Sequence, residues 1–241
     1  MEGPSIIILK EEVRSFKGRK ILKVSGNSKI DQRRLLNQRI IDFRSWGKHF
    51  LIEFKGFSLR IHFLMFGSYR INQGKDATPR LRLEFKNGEL NFYTCSVQFI
   101  GEKLDDVYDW EADVMSDQWS RNKALRKLKQ IPDVTICDAL LDQQIFAGSG
   151  NIIKNEVLYR VKIHPESLIG KIPPSNLKVT TDAVRDYSFD FYKWKKKFEL
   201  KKHWLIYAKK KCPLGHKAIK KYTGKGKRIS FFCPECQALF K

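Results

Sequence analysis

Two short ligand pairs near the end of the chain restrict its architecture more than any other feature. Cys212-Pro213-Leu214-Gly215-His216 and Cys233-Pro234-Glu235-Cys236 are separated by 16 residues. Three thiolates and one imidazole satisfy tetrahedral zinc, and each pair is presented from a single short turn. A segment of about thirty residues cannot bury enough apolar surface to fold unaided, so a metal here has to be structural. With four protein ligands no coordination position remains for water, which argues against zinc-dependent hydrolysis. Between the pairs lies Thr223-Gly224-Lys225-Gly226-Lys227-Arg228, flanked by the strand formers Ile229, Phe231 and Phe232. That is the pattern of a zinc-bound β-hairpin finger with a cationic tip. Cys95 and Cys137 have no partner at ligand spacing and read as buried thiols.

The hairpin sits in the most basic part of a basic chain. The 241 residues carry 47 Lys and Arg against 26 Asp and Glu, a formal charge of +21. Residues 193–228 hold 15 of those cations and a single acid, Glu199, so +14 of the excess is local. Charge that dense repels itself unless a polyanion neutralises it, and nucleic acid is the usual one. No window reaches 18 apolar residues, so no membrane span and no membrane partner is expected. Met1-Glu2-Gly3-Pro4 lacks the basic start of a secretory signal, and Lys10-Glu11-Glu12 interrupts the apolar run. The expectation is an intracellular protein, cytoplasmic at the nucleoid or nuclear, with its cysteines reduced or metal-bound.

Periodicity divides the rest. Pro4 suits the first turn of a helix, which should run from Ser5 to Phe16 with Leu9, Val13 and Phe16 on one face and Gly18 closing it. From Lys20 to Phe99 the period is two. Phe50, Ile52 and Phe54 alternate with Leu51 and Glu53, and Leu81, Leu83 and Phe85 with Arg82 and Glu84. Asn87-Gly88 predicts a two-residue hairpin turn into Leu90 and Phe92. Several such strands imply an antiparallel sandwich or barrel. An acidic, weakly patterned stretch follows, read as a linker, and after Trp119 the pattern turns helical: residues 122–130, 137–146, 151–160 and about 181–207, with Pro173-Pro174 as a break.

Phe146-Ala147-Gly148-Ser149-Gly150-Asn151-Ile152 joins two of these helices through a glycine turn. Such a turn brings backbone N–H groups and a helix N-terminus up against an anion, and a duplex supplies phosphates for it. Asn151 can cap the second helix or donate to phosphate, and Lys154 lies one turn in.

Residues 140–159, continuing to Ile163-His164-Pro165, resemble the helix–two-turns–helix segment of the formamidopyrimidine-glycosylase/endonuclease VIII (Fpg/Nei) glycosylases, most closely the Nei-like type two branch. The Cys-His-Cys-Cys finger resembles that branch as well. Trp46-Gly47-Lys48-His49 matches the family's glycine–lysine on a β-strand, and Glu2-Gly3-Pro4 its N-terminal motif. The segment from His62 to Ser68 is similar to the one carrying the intercalating side chain, with Met65 in that place. The resemblance implies an α+β fold. An N-terminal antiparallel β-sandwich with flanking helices would occupy residues 1–104, a linker 105–118, the helix–two-turns–helix domain 119–207 and the zinc finger 208–241.

It also implies chemistry. A bifunctional DNA glycosylase and abasic-site lyase would flip a damaged nucleotide, attack C1′ with its N-terminal amine and cleave the strand by elimination. Met1 would be the nucleophile, Glu2 the proton donor to the sugar ring oxygen and Lys48 a phosphate contact that also depresses the amine's pKa. Asn151, Lys154 and Arg228 would bind DNA and Met65 would fill the void. Zn2+ would be the sole cofactor, held by Cys212, His216, Cys233 and Cys236, and damaged DNA the partner of a monomer. Three departures stand out. The family's leading proline is absent, so Met1 precedes Glu2 directly, where a following acid disfavours its removal. Ser5 stands where a second glutamate is usual. Tyr93-Thr94-Cys95-Ser96-Val97-Gln98-Phe99 lacks an arginine pair, which favours pyrimidine lesions over 8-oxoguanine. The alternatives are a non-catalytic damaged-DNA-binding protein on the same scaffold and an RNA-binding zinc-ribbon protein.

Overall fold

In the computed structural model, which describes residues 1–241, the period-two stretch forms one six-stranded antiparallel sheet. Its strands are β1 (Lys23–Ser25), β2 (Asp42–Trp46), β3 (His49–Phe54), β4 (Phe57–Ile71), β5 (Leu81–Phe85) and β6 (Gly88–Ile100), in the order β1-β5-β6-β4-β3-β2. Contacts divide the chain into two units, Met1 with Ser5–Asp109 and Glu2–Pro4 with Trp110–Lys241.

In the first unit β5 keeps the expected alternation, Leu81, Leu83 and Phe85 turning inward. At the centre of β3, Leu51 is as buried as Phe50 and Ile52, so neither face is left to solvent there. The β5–β6 hairpin is shifted by one residue from expectation: Phe85 pairs with Gly88, and the loop is Lys86 and Asn87. Only Gly88 takes a positive φ, +138°, whereas a primed two-residue turn at Asn87-Gly88 needs an unusual φ in the loop itself. Helix α1 (Gly3–Glu12) supplies Ile6 and Leu9 to the core. It ends earlier than the pattern suggested, and a separate 3-10 turn, Arg14–Phe16, carries Phe16 into the same core. Gly18 then reverses the chain at φ +75°. The acidic stretch is not free of structure. Short α2 (Leu104–Val107) lies in it, and Tyr108 packs against Trp46, whose indole N–H donates to the Asp109 carbonyl at 2.9 Å.

The second unit contains α3 (Arg121–Lys129), α4 (Ile136–Ala139), α5 (Asn151–Arg160), α6 (Pro174–Lys196) and a hairpin of β7 (Ile219–Thr223) with β8 (Arg228–Phe232). Residues 137–146 were expected to be one helix, but α4 is a single turn. Beyond it the Asp142 side chain accepts from Gln144 N at 2.8 Å, and the Gln143 oxygen from Gly148 N at 3.0 Å. These bonds offer the backbone an alternative to helix. Pro173 and Pro174 do not break a helix. They begin the longest one, where a missing N–H costs nothing. α6 buries the stripe Leu177, Thr181, Val184, Ser188 and Phe191, and its Thr181 and Ser188 hydroxyls donate to carbonyls one turn back. Around that stripe, Leu128, Ile136, Phe146, Ile153 and Val157 complete the unit's core.

Candidate functional site

The glycine turn before α5 does hold an anion, but the anion belongs to the chain itself. Glu2 Oε1 accepts from Ile152 N at 2.7 Å and Oε2 from Ile153 N at 3.2 Å. The N-cap, Gly150, has no side chain to do this, so a carboxylate 150 residues away caps the helix and meets the positive end of its dipole. A Cβ on Gly150 would collide with the Glu2 carboxyl, which is why glycine is required there. Gly3 N donates to Gly148 O at 2.9 Å, and Gln143 grips the turn by both ends of its amide. The expectation that these amides await a DNA phosphate is therefore corrected: Glu2 occupies them. Asn151, the first residue of α5, does not cap it, and its Oδ1 is buried without a hydrogen-bond partner, as is Ser149 Oγ.

Further along α5 three consecutive polar residues turn inward. Lys154, expected among the DNA contacts, is 0% exposed; its ammonium donates to Ser230 Oγ at 2.8 Å and to Ile229 O at 3.1 Å. That burial removes it from any phosphate and pushes its pKa down to about 8, against the opposing pull of Cys137, Asp138 and Glu2. Asn155 Oδ1 accepts from Phe231 N at 2.7 Å. Glu156, also fully buried, accepts from the backbone N–H groups of Leu205, Ile206 and Tyr207 at 2.8–3.0 Å. That fixes the segment leading into the hairpin. At the tip, Lys225 N and Gly226 N donate to the Asp138 carboxylate at 2.7 and 3.2 Å. Sequence reasoning missed Asn155, Glu156 and Asp138, because their partners are backbone groups far along the chain, and Gln143, which bonds only the backbone of its own turn.

Cys212, His216, Cys233 and Cys236 gather with all four ligand atoms within 4.8 Å of one another. The Sγ atoms of Cys212 and Cys236 are 3.9 Å apart, and His216 Nδ1 lies 3.2 Å from Cys236 Sγ. Zinc with bonds of about 2.0–2.3 Å spans a tetrahedron of that size, so the residues fit the metal. His216 Nε2 points instead toward Glu235 Oε2 at 3.6 Å, an outer partner that fixes the ring. Arg228, at the start of β8, is exposed. Cys95 and Cys137 are buried, and burial pushes the Cys95 thiol up to about 12.

In the first unit, Lys48 is not on a strand. Trp46 pairs with His49, so Gly47 and Lys48 form the two-residue loop of the β2–β3 hairpin, with Gly47 at φ +52° as a glycine-first turn requires. Met1 packs part-buried against this unit's core. His62 lies directly opposite His49 across β3 and β4; burial, then Lys48, then the N-terminal amine, then Arg60 hold its imidazole below the usual pKa. Met65 is 67% exposed, and Phe66 beside it 90%. Both stand at a register break where residues 64–67 of β4 face Thr94 alone on β6.

His49 makes the acid response of this unit predictable. Its Nδ1 is 3.1 Å from Tyr108 OH, and burial, reinforced by Arg60, His62 and Lys48, pushes its pKa down to about 3. Between pH 6.5 and about 3 the unfolded chain binds a proton at His49 that the folded chain refuses, so stability falls as pH falls through that window. His49→Gln should flatten the fall, measured as the urea midpoint against pH. A variant as acid-sensitive as the parent would mean that the imidazole is not held neutral.

Residues 2–99 match the model of the formamidopyrimidine-DNA glycosylase N-terminal domain, and residues 112–187 that of the formamidopyrimidine-DNA glycosylase H2TH domain. Endonuclease 8-like 2 of Mus musculus is 36% identical over 196 residues, covering 74% of this chain and 57% of that protein. Endonuclease 8-like 3 of Mus musculus is 33% identical, over 79% of this chain and 33% of that protein. The chain thus spans little more than half the length of endonuclease 8-like 2 and a third of endonuclease 8-like 3. Among solved structures, a viral DNA glycosylase superposes with a TM-score of 0.85 at 24% identity, over 99% of this chain and 100% of the other. A Lactococcus lactis formamidopyrimidine DNA glycosylase bound to DNA containing an abasic site superposes with a TM-score of 0.86 at 22% identity, over 98% and 99%.

Proposed function

Because this chain belongs to the Fpg/Nei family, we propose that it is a DNA glycosylase of base excision repair that also cleaves the abasic strand. The observation that carries the reading is the seat of Glu2: two backbone amides at the start of α5 hold a carboxylate one residue from the N-terminal amine. In the proposed reaction the Met1 nitrogen attacks C1′ of a flipped nucleotide, and the C1′–N bond to the damaged base breaks with the electron pair leaving on the base. The Glu2 carboxylate takes the proton that the attacking amine sheds and passes it to the sugar ring oxygen as the ring opens, leaving a protonated imine between nitrogen and C1′. The imine acidifies the C2′ proton, so its removal expels the 3′ phosphate by β-elimination. A primary amine suffices, since its imine is protonated where a proline would give an iminium directly. An α-amine's ordinary pKa is about 7.7–8.0, so part of it is already neutral near pH 7.

Damaged DNA is the partner in this reading, bound by a monomer without a small-molecule cofactor. Lys48, Asn151 and Arg228 contact phosphates, Asn151 by donating from its amide nitrogen. Met65 fills the vacated stack, supported by its exposure. Structural zinc is held by Cys212, His216, Cys233 and Cys236. Pyrimidine lesions are preferred, because β6 presents Thr94, Cys95 and Ser96 and no arginine pair.

Borohydride reduction in the presence of abasic-site DNA tests the reaction. A covalent adduct mapped to residue 1 is expected, and adding one residue ahead of Met1 should abolish trapping while DNA binding stays nearly intact. Trapping that survives the extension would assign the amine to a lysine, Lys48 first. Binding with no trapping in the parent would give the non-catalytic reading instead.

A further inference from the structure

Phe198 is 96% exposed at φ +58°. It follows the C-terminus of α6 in a Schellman turn: Phe198 N donates to Lys195 O at 3.0 Å and Glu199 N to Trp194 O at 2.9 Å. The residue at this position takes a left-handed conformation in which glycine is usual, because a Cβ is disfavoured there. Here the position holds a bulky aromatic side chain that packs against nothing. Both the backbone strain and the exposed ring weigh against folding, and such an outlier points toward function. The surroundings are specific as well. Lys196, Lys197, Lys201 and Lys202 are exposed within four residues on either side, and the single acid, Glu199, is paired with Lys202 at 3.1 Å. Behind the turn, Trp194 stacks on His203 with centroids 4.1 Å apart and planes 7° from parallel. That stack fastens the following 3-10 turn, Leu200–His203, onto the helix end and gives the turn a firm base.

We propose that the end of α6 is a single-stranded DNA contact, with Phe198 as a stacking platform for an unpaired base and the flanking lysines holding the backbone. A flat apolar ring inside a ring of cations fits a polyanion that exposes base faces, and a continuous duplex hides those faces except at its ends. The proposal rests on the DNA-binding reading of the chain and not on its glycosylase chemistry.

Phe198→Gly suits the test, because glycine relieves the left-handed strain and should leave thermal stability unchanged or raised. In the full chain, its affinity for a labelled oligothymidylate of about twelve nucleotides should fall about tenfold by fluorescence anisotropy. The dependence of that affinity on salt should stay as in the parent, since no charge is removed. Lys196→Gln with Lys197→Gln should reduce the salt slope instead. Borohydride trapping on duplex abasic DNA should be unaffected by Phe198→Gly. A Phe198→Gly protein that binds the oligothymidylate as tightly as the parent overturns the proposal, whether or not the parent traps. An equal loss of trapping on duplex would put Phe198 within the lesion site and overturn it too. If the parent fails to trap but Phe198→Gly still loses oligothymidylate binding, the catalytic reading fails and this one stands.

Discussion

Cys233→Ser should leave the first unit folded, open residues 208–241 to protease and abolish DNA binding. Cys233 is fully buried, yet the apolar cluster around it is small: Tyr159, Ile206 and Cys212, with a few part-buried neighbours. Structural zinc contributes on the order of 10–16 kcal/mol to such fingers, comparable to the whole stability of a typical domain. The hairpin also receives Lys154, Asn155 and the tip contact from Asp138, so its loss leaves a lysine, an asparagine and a carboxylate without these partners. The first unit has its own core between α1 and the sheet and should keep its unfolding transition. Metal analysis of the parent should give about one equivalent of zinc. A protein free of metal whose hairpin is nonetheless ordered would remove the site.

The second large effect is expected at Glu2, and two substitutions separate its roles. Glu2→Ala strips the acceptors from Ile152 N and Ile153 N, and should lower stability by about 1–3 kcal/mol as well as ending strand cleavage. Glu2→Gln keeps the shape of the side chain and the shorter bond from Ile152 N but sets an NH2 against Ile153 N, so only part of the stability should return. The proton transfers should not, and cleavage of abasic DNA should stay down by about 10²–10⁴-fold. Single-turnover cleavage beside thermal unfolding gives both quantities. Near-parental cleavage by Glu2→Gln would confine Glu2 to capping.

What could be read in the sequence had its cause within a few residues. The zinc quartet is a matter of spacing, and α5 spans the residues expected because Gly150 ends the turn and the pattern begins at Asn151. Errors arose wherever a distant backbone decided. Lys154 reads as a solvent-facing helix lysine until the hairpin covers it. Residues 137–146 read as a helix until Asp142 and Gln143 capture amides. The glycine turn announced an anion but not that Glu2 supplies it. The resemblance puts Lys48 on a strand, whereas the pairing of Trp46 with His49 makes it a turn residue beside Gly47. Phe198 left a faint signal: a long helix ending in lysines without the glycine that would close it comfortably.

The inward polar run of α5 has a consequence for how this sequence can drift. Lys154 meets a side chain, Ser230, so a replacement at one can be matched by a replacement at the other. Asn155 bonds main-chain groups alone, the Phe231 amide and the Asn151 carbonyl, and Glu156 bonds the amides of Leu205, Ile206 and Tyr207 with Arg160 as its one side-chain partner at 3.5 Å. An amide has no identity to mutate. No substitution elsewhere can replace those main-chain bonds, so both positions should stay fixed, with Arg160 the one side chain able to vary in step with Glu156. A method that infers contacts from paired substitutions would find the Lys154–Ser230 contact and overlook the main-chain ties beside it.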